Sequence, residues 1–199
     1  MSQTGDNLSQ IRRSPQLTPF APRSVYADTY PLDDFCAARR LPLPAISRLQ
    51  PDEVPEPYRS LLVHDRDMTS RLEAFHKRKI HIRVVARRTH GDEYFREVAL
   101  ELDGSHKPVE FGASKIHLDL FPYEAREAVL REVRPLGRIL HAFDIAFVSR
   151  PRAFLRVTAI SFISRALGLR GRHTLFGRRN TLLDAWERPL AEVVEILPP

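Results

Sequence analysis

Cysteine, glycine and long apolar runs are all scarce in this chain of 199 residues. The single cysteine, Cys36, excludes an intrachain disulfide, and the composition reads as that of a reducing, cytoplasmic setting. No stretch approaches the roughly 18 apolar residues of a membrane helix, so no membrane span is expected. The opening MSQTGDNLSQIRRSPQLTPF has no apolar run either and is not read as a secretory signal. The eight glycines form no GxGxxG, GxxxxGK(S/T) or GxSxG pattern, which removes phosphate loops and nucleophile elbows. The eight histidines lack HxxxH and HxxEH spacing, so neither a metal nor another cofactor is expected.

What is present is positive charge, mostly as arginine. The formal net charge is +6, and only four of the 31 basic residues are lysine (77, 79, 107 and 115). Arginine suits bidentate carboxylate contacts. The basic residues are spread along the chain, and no helix or tail concentrates them as a nucleic-acid footprint would. A pocket for an acidic small molecule is therefore the preferred reading, with no nucleic-acid partner and a monomeric state expected.

Nine of the 16 prolines fall in the first 57 residues. Residues 1–57 read as a Pro-rich, largely irregular extension, disordered over 1–27 and with one short helix at Asp33–Arg40. Residues 58–199 read as a single domain. Helices are predicted over 58–64 and 69–76, the second capped at Thr69 or Ser70. The period then changes to two. Strands are predicted at 79–88, 94–102 and 109–121, joined by short turns, one of them Asp103-Gly104. Helices follow from Pro122 and over 135–143, then a strand at 153–158, a helical turn, and two strands at 173–183 and 188–197. Parallel βαβ units are absent. The expected fold is α+β, a single antiparallel sheet of about six strands with helices packed on one face.

Two inward charges stand out. Arg96 shares a strand face with Val98, Leu100 and Leu102, where a charge needs a partner or a ligand. Pairing with Glu97, Glu101 or another strand and service to a ligand both remain open. Glu192 and Glu195 lie among apolar residues of the last strand. Being three apart, they point to opposite faces unless a bulge intervenes, so at most one faces inward.

The ordered motifs LLVHDRDMTSRLEAF, YFREVALELDG, RPLGRIL and GRRNTLL…RPLAEVVEILPP resemble bacterial chorismate pyruvate-lyase over residues 61–199. That resemblance implies a chorismate lyase-like fold and a cofactor-independent carbon–oxygen lyase. The enzyme would release pyruvate from chorismate and leave 4-hydroxybenzoate, a product that can feed quinone synthesis. It implies a substrate site in which Met68 and Leu136 offer backbone N–H groups to the ring carboxylate. Arg96 would hold that carboxylate, and Glu195, with Glu192 as the fallback, would assist proton transfer. Arg178 and Arg179 are candidates for a second carboxylate, with a structural role in the hairpin preferred. The same fold also occurs in effector-binding domains of transcription regulators, and a non-catalytic binder of an aromatic carboxylate is the alternative.

Overall fold

The computed structural model describes residues 28–199. The disorder expected for residues 1–27 lies outside the described residues. Helix α1 (Leu32–Ala38) opens the described chain and buries Leu32, Phe35 and Cys36. Strand β1 (Ile46–Leu49) follows, antiparallel to a later strand. The prolines had pointed to irregular structure for most of this segment. Pro42, Pro44 and Pro51 instead bracket a four-residue strand at the sheet edge, where missing donors cost little.

Helices α2 (Tyr58–Leu62) and α3 (Met68–His76) come next. The cap of α3 is Asp67, not Thr69 or Ser70; its side chain accepts from the Ser70 N–H at 2.8 Å. Glu73 is engaged elsewhere, by Arg138, Lys79 and the Ile80 N–H. Lys77 ends the helix in the left-handed region, at φ 51°.

The predicted meander is present as β2 (Ile80–His90), β3 (Glu93–Leu102) and β4 (Pro108–His117). Helices α4 (Tyr123–Leu130) and α5 (Leu136–Ala142) follow, preceded by Pro122 and Pro135 as N-caps. Strand β5 (Val148–Thr158) starts before the predicted residue 153. Pro151 is tolerated because the ladder is irregular between Pro151 and Ala153, and because β1 pairs only with residues 154–157. Helix α6 (Ser161–Ala166) and strands β6 (Thr174–Leu183) and β7 (Pro189–Leu197) complete the chain.

The class is α+β, and the described residues form one antiparallel sheet of seven strands in the order β1-β5-β6-β7-β4-β3-β2. Helices α2–α5 pack on the face that carries Val98, Leu100, Ile116 and Leu182. Helices α1 and α6 cover Phe111, Ala113, Leu155 and Val194 on the reverse. Each of the larger of these side chains, fully buried, contributes about 1.5–3 kcal/mol. No helix among the described residues is long and apolar enough to cross a membrane.

Register makes a hollow under α3 and α5. On β4, Ser114 sits between Arg96 of β3 and Val193 of β7. Gly112 sits between Val98 and Glu195, and Glu110 lies opposite Leu100. Two small side chains at the centre of the sheet leave room that larger ones would fill.

Candidate functional site

That hollow is a small cavity, ≈ 60 Å³ in the space open to the centre of a water molecule. Its floor is Ile82, Arg96, Val98, Leu100, Glu110, Gly112, Ser114, Leu182, Val193 and Glu195. Its roof is Asp67, Met68 and Thr69 at the start of α3, with Pro135, Leu136 and Gly137 at the start of α5. The two helix starts approach closely: a Cβ on Gly137 would lie 2.4 Å from Asp67 Oδ1. Only glycine permits that contact.

Arg96 is 2% exposed, and among the described residues its Nε and Nη1 have no hydrogen-bond partner. Burial pushes its pKa down, opposed by Tyr94 and Glu132, yet arginine stays charged in proteins. Neither neighbour on its own strand pairs with it. Glu97 bonds to Arg39, and Glu101 bonds to Arg83 at 2.5 Å. Glu132 is bound by Tyr94 and Arg87. Among the described residues Arg96 forms no ion pair with Glu97, with Glu101 or with another strand.

Three carboxylates also line the cavity, and two are compensated. Asp67 uses Oδ1 as the α3 cap and sets Oδ2 at 3.0 Å from His141 Nε2. Glu195 accepts from Arg178 Nε at 2.5 Å. Among the described residues Glu110 has no ion-pair partner, and its Oε2 has no hydrogen bond. Burial first, then Glu195 and Asp67, push its pKa well above the usual carboxylate range, with Arg178 opposing. The protonated acid is thereby favoured. The charge that remains unanswered in the cavity is the Arg96 guanidinium.

The structure thus brings Met68, Arg96, Leu136 and Glu195 to one cavity. Met68 and Leu136 are the first residues of α3 and α5, where backbone amides lack partners within the helix. Glu192 is elsewhere: it points to the reverse face and meets His117 Nε2 at 2.9 Å. The β7 strand is regular there, so alternation holds. Arg178 is fully buried and structural. It donates to the carbonyls of Leu62, His64 and Arg66 at 3.2, 2.9 and 3.1 Å, and so ties the α2–α3 connection to the sheet. Arg179 turns away, donating to the Tyr30 carbonyl at 3.4 Å. Glu110 was missed in the sequence. Its signal was the alternation Glu110-Gly112-Ser114, an acid followed by two small residues on one strand face.

Half-buried nearby, His64 holds a neutral ring. Its Nε2 faces the Leu61 carbonyl at 2.7 Å, and its Nδ1 accepts from the Arg66 N–H at 3.1 Å. Burial and Arg178 push its pKa down to about 4.

No protein-family model matches the chain, and no curated protein matches it. Solved structures do. The effector domain of PhnF from Mycobacterium smegmatis aligns with a TM-score of 0.50 and 15% identity, over 66% of this chain and 88% of that one. A further PhnF structure aligns with a TM-score of 0.50 and 13% identity, over 66% of this chain and 63% of that one. The third similar structure is the ligand-binding domain of a protein assigned to the GntR family of transcriptional regulators, from Bordetella bronchiseptica. It gives a TM-score of 0.45 and 14% identity, over 59% of this chain and 83% of that one. The PhnF alignments establish the fold.

They also correct the functional expectation. Motif order pointed to a chorismate lyase, whereas the chain aligns with the effector domain of PhnF. Glu195, the residue expected to assist proton transfer, is engaged by Arg178, and the buried carboxyl with a raised pKa is Glu110.

Proposed function

We propose that this protein is a non-catalytic, effector-binding protein whose ligand is a small aromatic carboxylate. The observation that carries the reading is Arg96, a buried guanidinium facing the cavity with Nε and Nη1 unpartnered. A carboxylate would occupy both donors as a charge-assisted pair. The first-turn amides of Met68 and Leu136 add donors from the roof. The ring lies against Ile82, Val98 and Leu100. The protonated Glu110 and the Arg178-held Glu195 address a polar substituent elsewhere in the cavity. Support also comes from the PhnF effector domain, which shares the architecture.

The test is calorimetric titration of the full chain with 4-hydroxybenzoate and with p-cresol, which keeps the ring and hydroxyl but lacks the carboxylate. One molecule of 4-hydroxybenzoate should bind per chain and p-cresol far more weakly. Arg96→Met should weaken 4-hydroxybenzoate roughly 10- to 100-fold, the value of a charge-assisted hydrogen bond. Chorismate should release no pyruvate above its spontaneous rate. Equal affinity for the two ligands, no binding of either, or enzymatic pyruvate release would overturn the reading.

A further inference from the structure

Behind the cavity floor, on the reverse face of the same strands, lies a second cluster. Ile82 and Leu100 face each other on the cavity side of β2 and β3, and the next register pair is His81 with Glu101. The β3–β4 turn brings His106 to the same place. One donor atom each from His81, Glu101 and His106 lies within 4.8 Å of the other two.

The geometry is that of ligands around a shared ion. Glu101 Oε2 is 3.5 Å from His81 Nε2 and 3.7 Å from His106 Nδ1. Both separations are too long for good hydrogen bonds. They match the edge of a tetrahedron, about 3.3 Å for zinc–ligand bonds of roughly 2.0–2.1 Å. The other oxygen of Glu101 is taken by Arg83 Nε at 2.5 Å, which leaves Oε2 as a single ligand atom.

Two further features orient the imidazoles. His81 turns its other nitrogen, Nδ1, to Asp103 Oδ1 at 2.7 Å. That carboxylate–histidine contact is the usual outer support of a metal-bound histidine. His106 is held at φ 52°, a left-handed conformation uncommon for most residues. The two rings meet edge to face at 5.2 Å.

We infer that His81, Glu101 and His106 form a binding site for a divalent transition metal ion such as zinc, with Asp103 as a positioning residue and a fourth coordination position open to solvent. The ion would pin edge strand β2 to the β3–β4 turn. The inference is independent of what occupies the cavity.

The experiment is titration of the full chain with zinc chloride by calorimetry, and with cobalt chloride by visible absorption. One ion should bind per chain, and cobalt should give the intense visible bands of a tetrahedral site. His106→Asn lies on an exposed turn, and asparagine tolerates its φ, so the variant keeps its fold. It should lose affinity at least 10-fold, as should His81→Asn. Asp103→Asn should lose about 10-fold through misorientation of His81. His173→Asn, whose ring faces the Arg170 carbonyl, should bind as the wild type does. Absence of saturable binding would overturn the proposal, as would unchanged affinity in His106→Asn and His81→Asn.

Discussion

Arg178 lies directly across the β6–β7 ladder from Glu195 and donates to it through Nε at 2.5 Å. The same guanidinium holds three carbonyls between Leu62 and Arg66. One side chain therefore fixes both the acid on the cavity floor and the chain entering the roof. Arg178→Met should remove all of these bonds and leave Glu195 a buried charge without a partner. The expected cost is about 3–5 kcal/mol, read from urea denaturation at neutral pH. A loss below 1 kcal/mol would show that the loop and Glu195 do not depend on Arg178.

Arg96 should behave in the opposite way. Its charge is buried and two of its donors are unpartnered, so the free protein gains little from it. Arg96→Met, similar in volume, should raise stability by about 1–3 kcal/mol while it weakens ligand binding. Denaturation with and without 4-hydroxybenzoate measures both effects. Destabilisation of the ligand-free protein would mark Arg96 as a structural residue.

Glu110 makes stability depend on pH. Its folded-state pKa is raised above the 4.5 of an ordinary glutamate. Over the window between those two values the folded protein keeps a proton that the unfolded chain has released. Stability therefore falls as pH rises from about 4.5 to the folded value and stays lower above it. Glu110→Gln cannot ionise. Relative to wild type it should gain stability across that window, with little difference below pH 4.5. Parallel urea midpoints from pH 4 to pH 8 would contradict this.

Gly137 is required by the meeting of α3 and α5. Alanine there would set its Cβ 2.4 Å from Asp67 Oδ1 and 3.2 Å from Thr69 Oγ1. Asp67 cannot yield freely, because both its oxygens are bonded. The helix-propensity gain of at most about 1 kcal/mol is outweighed by an overpacking cost of about 1–3 kcal/mol. Gly137→Ala should lower the melting temperature and reduce 4-hydroxybenzoate affinity as the roof shifts. An unchanged melting temperature would show that α5 moves without cost.

The sequence by itself determined the elements and the inward charge. Alternation along 94–102 put Arg96 on the face of Val98 and Leu100, and the Asp103-Gly104 turn set the meander. Those signals are local, because strand and helix periods are written residue by residue. The same locality misled in two places. Prolines around residues 46–49 concealed a strand that exists only because β5 offers it a ladder. Short motifs in the right order suggested catalysis, although motif order does not say what Glu195 touches.

Only the tertiary structure decided which charges meet. The choice between Glu195 and Glu192 rested on the face that β7 turns to β4 and β6, a property of three strands together. Glu110 became notable only once register set it on the cavity floor with Glu195 and without a cation. His81, Glu101 and His106 have no metal-binding spacing along the chain; one register pair and one turn bring them together. Partners of buried charges are long-range by nature, since burial removes water and leaves each charge to whatever the fold places beside it.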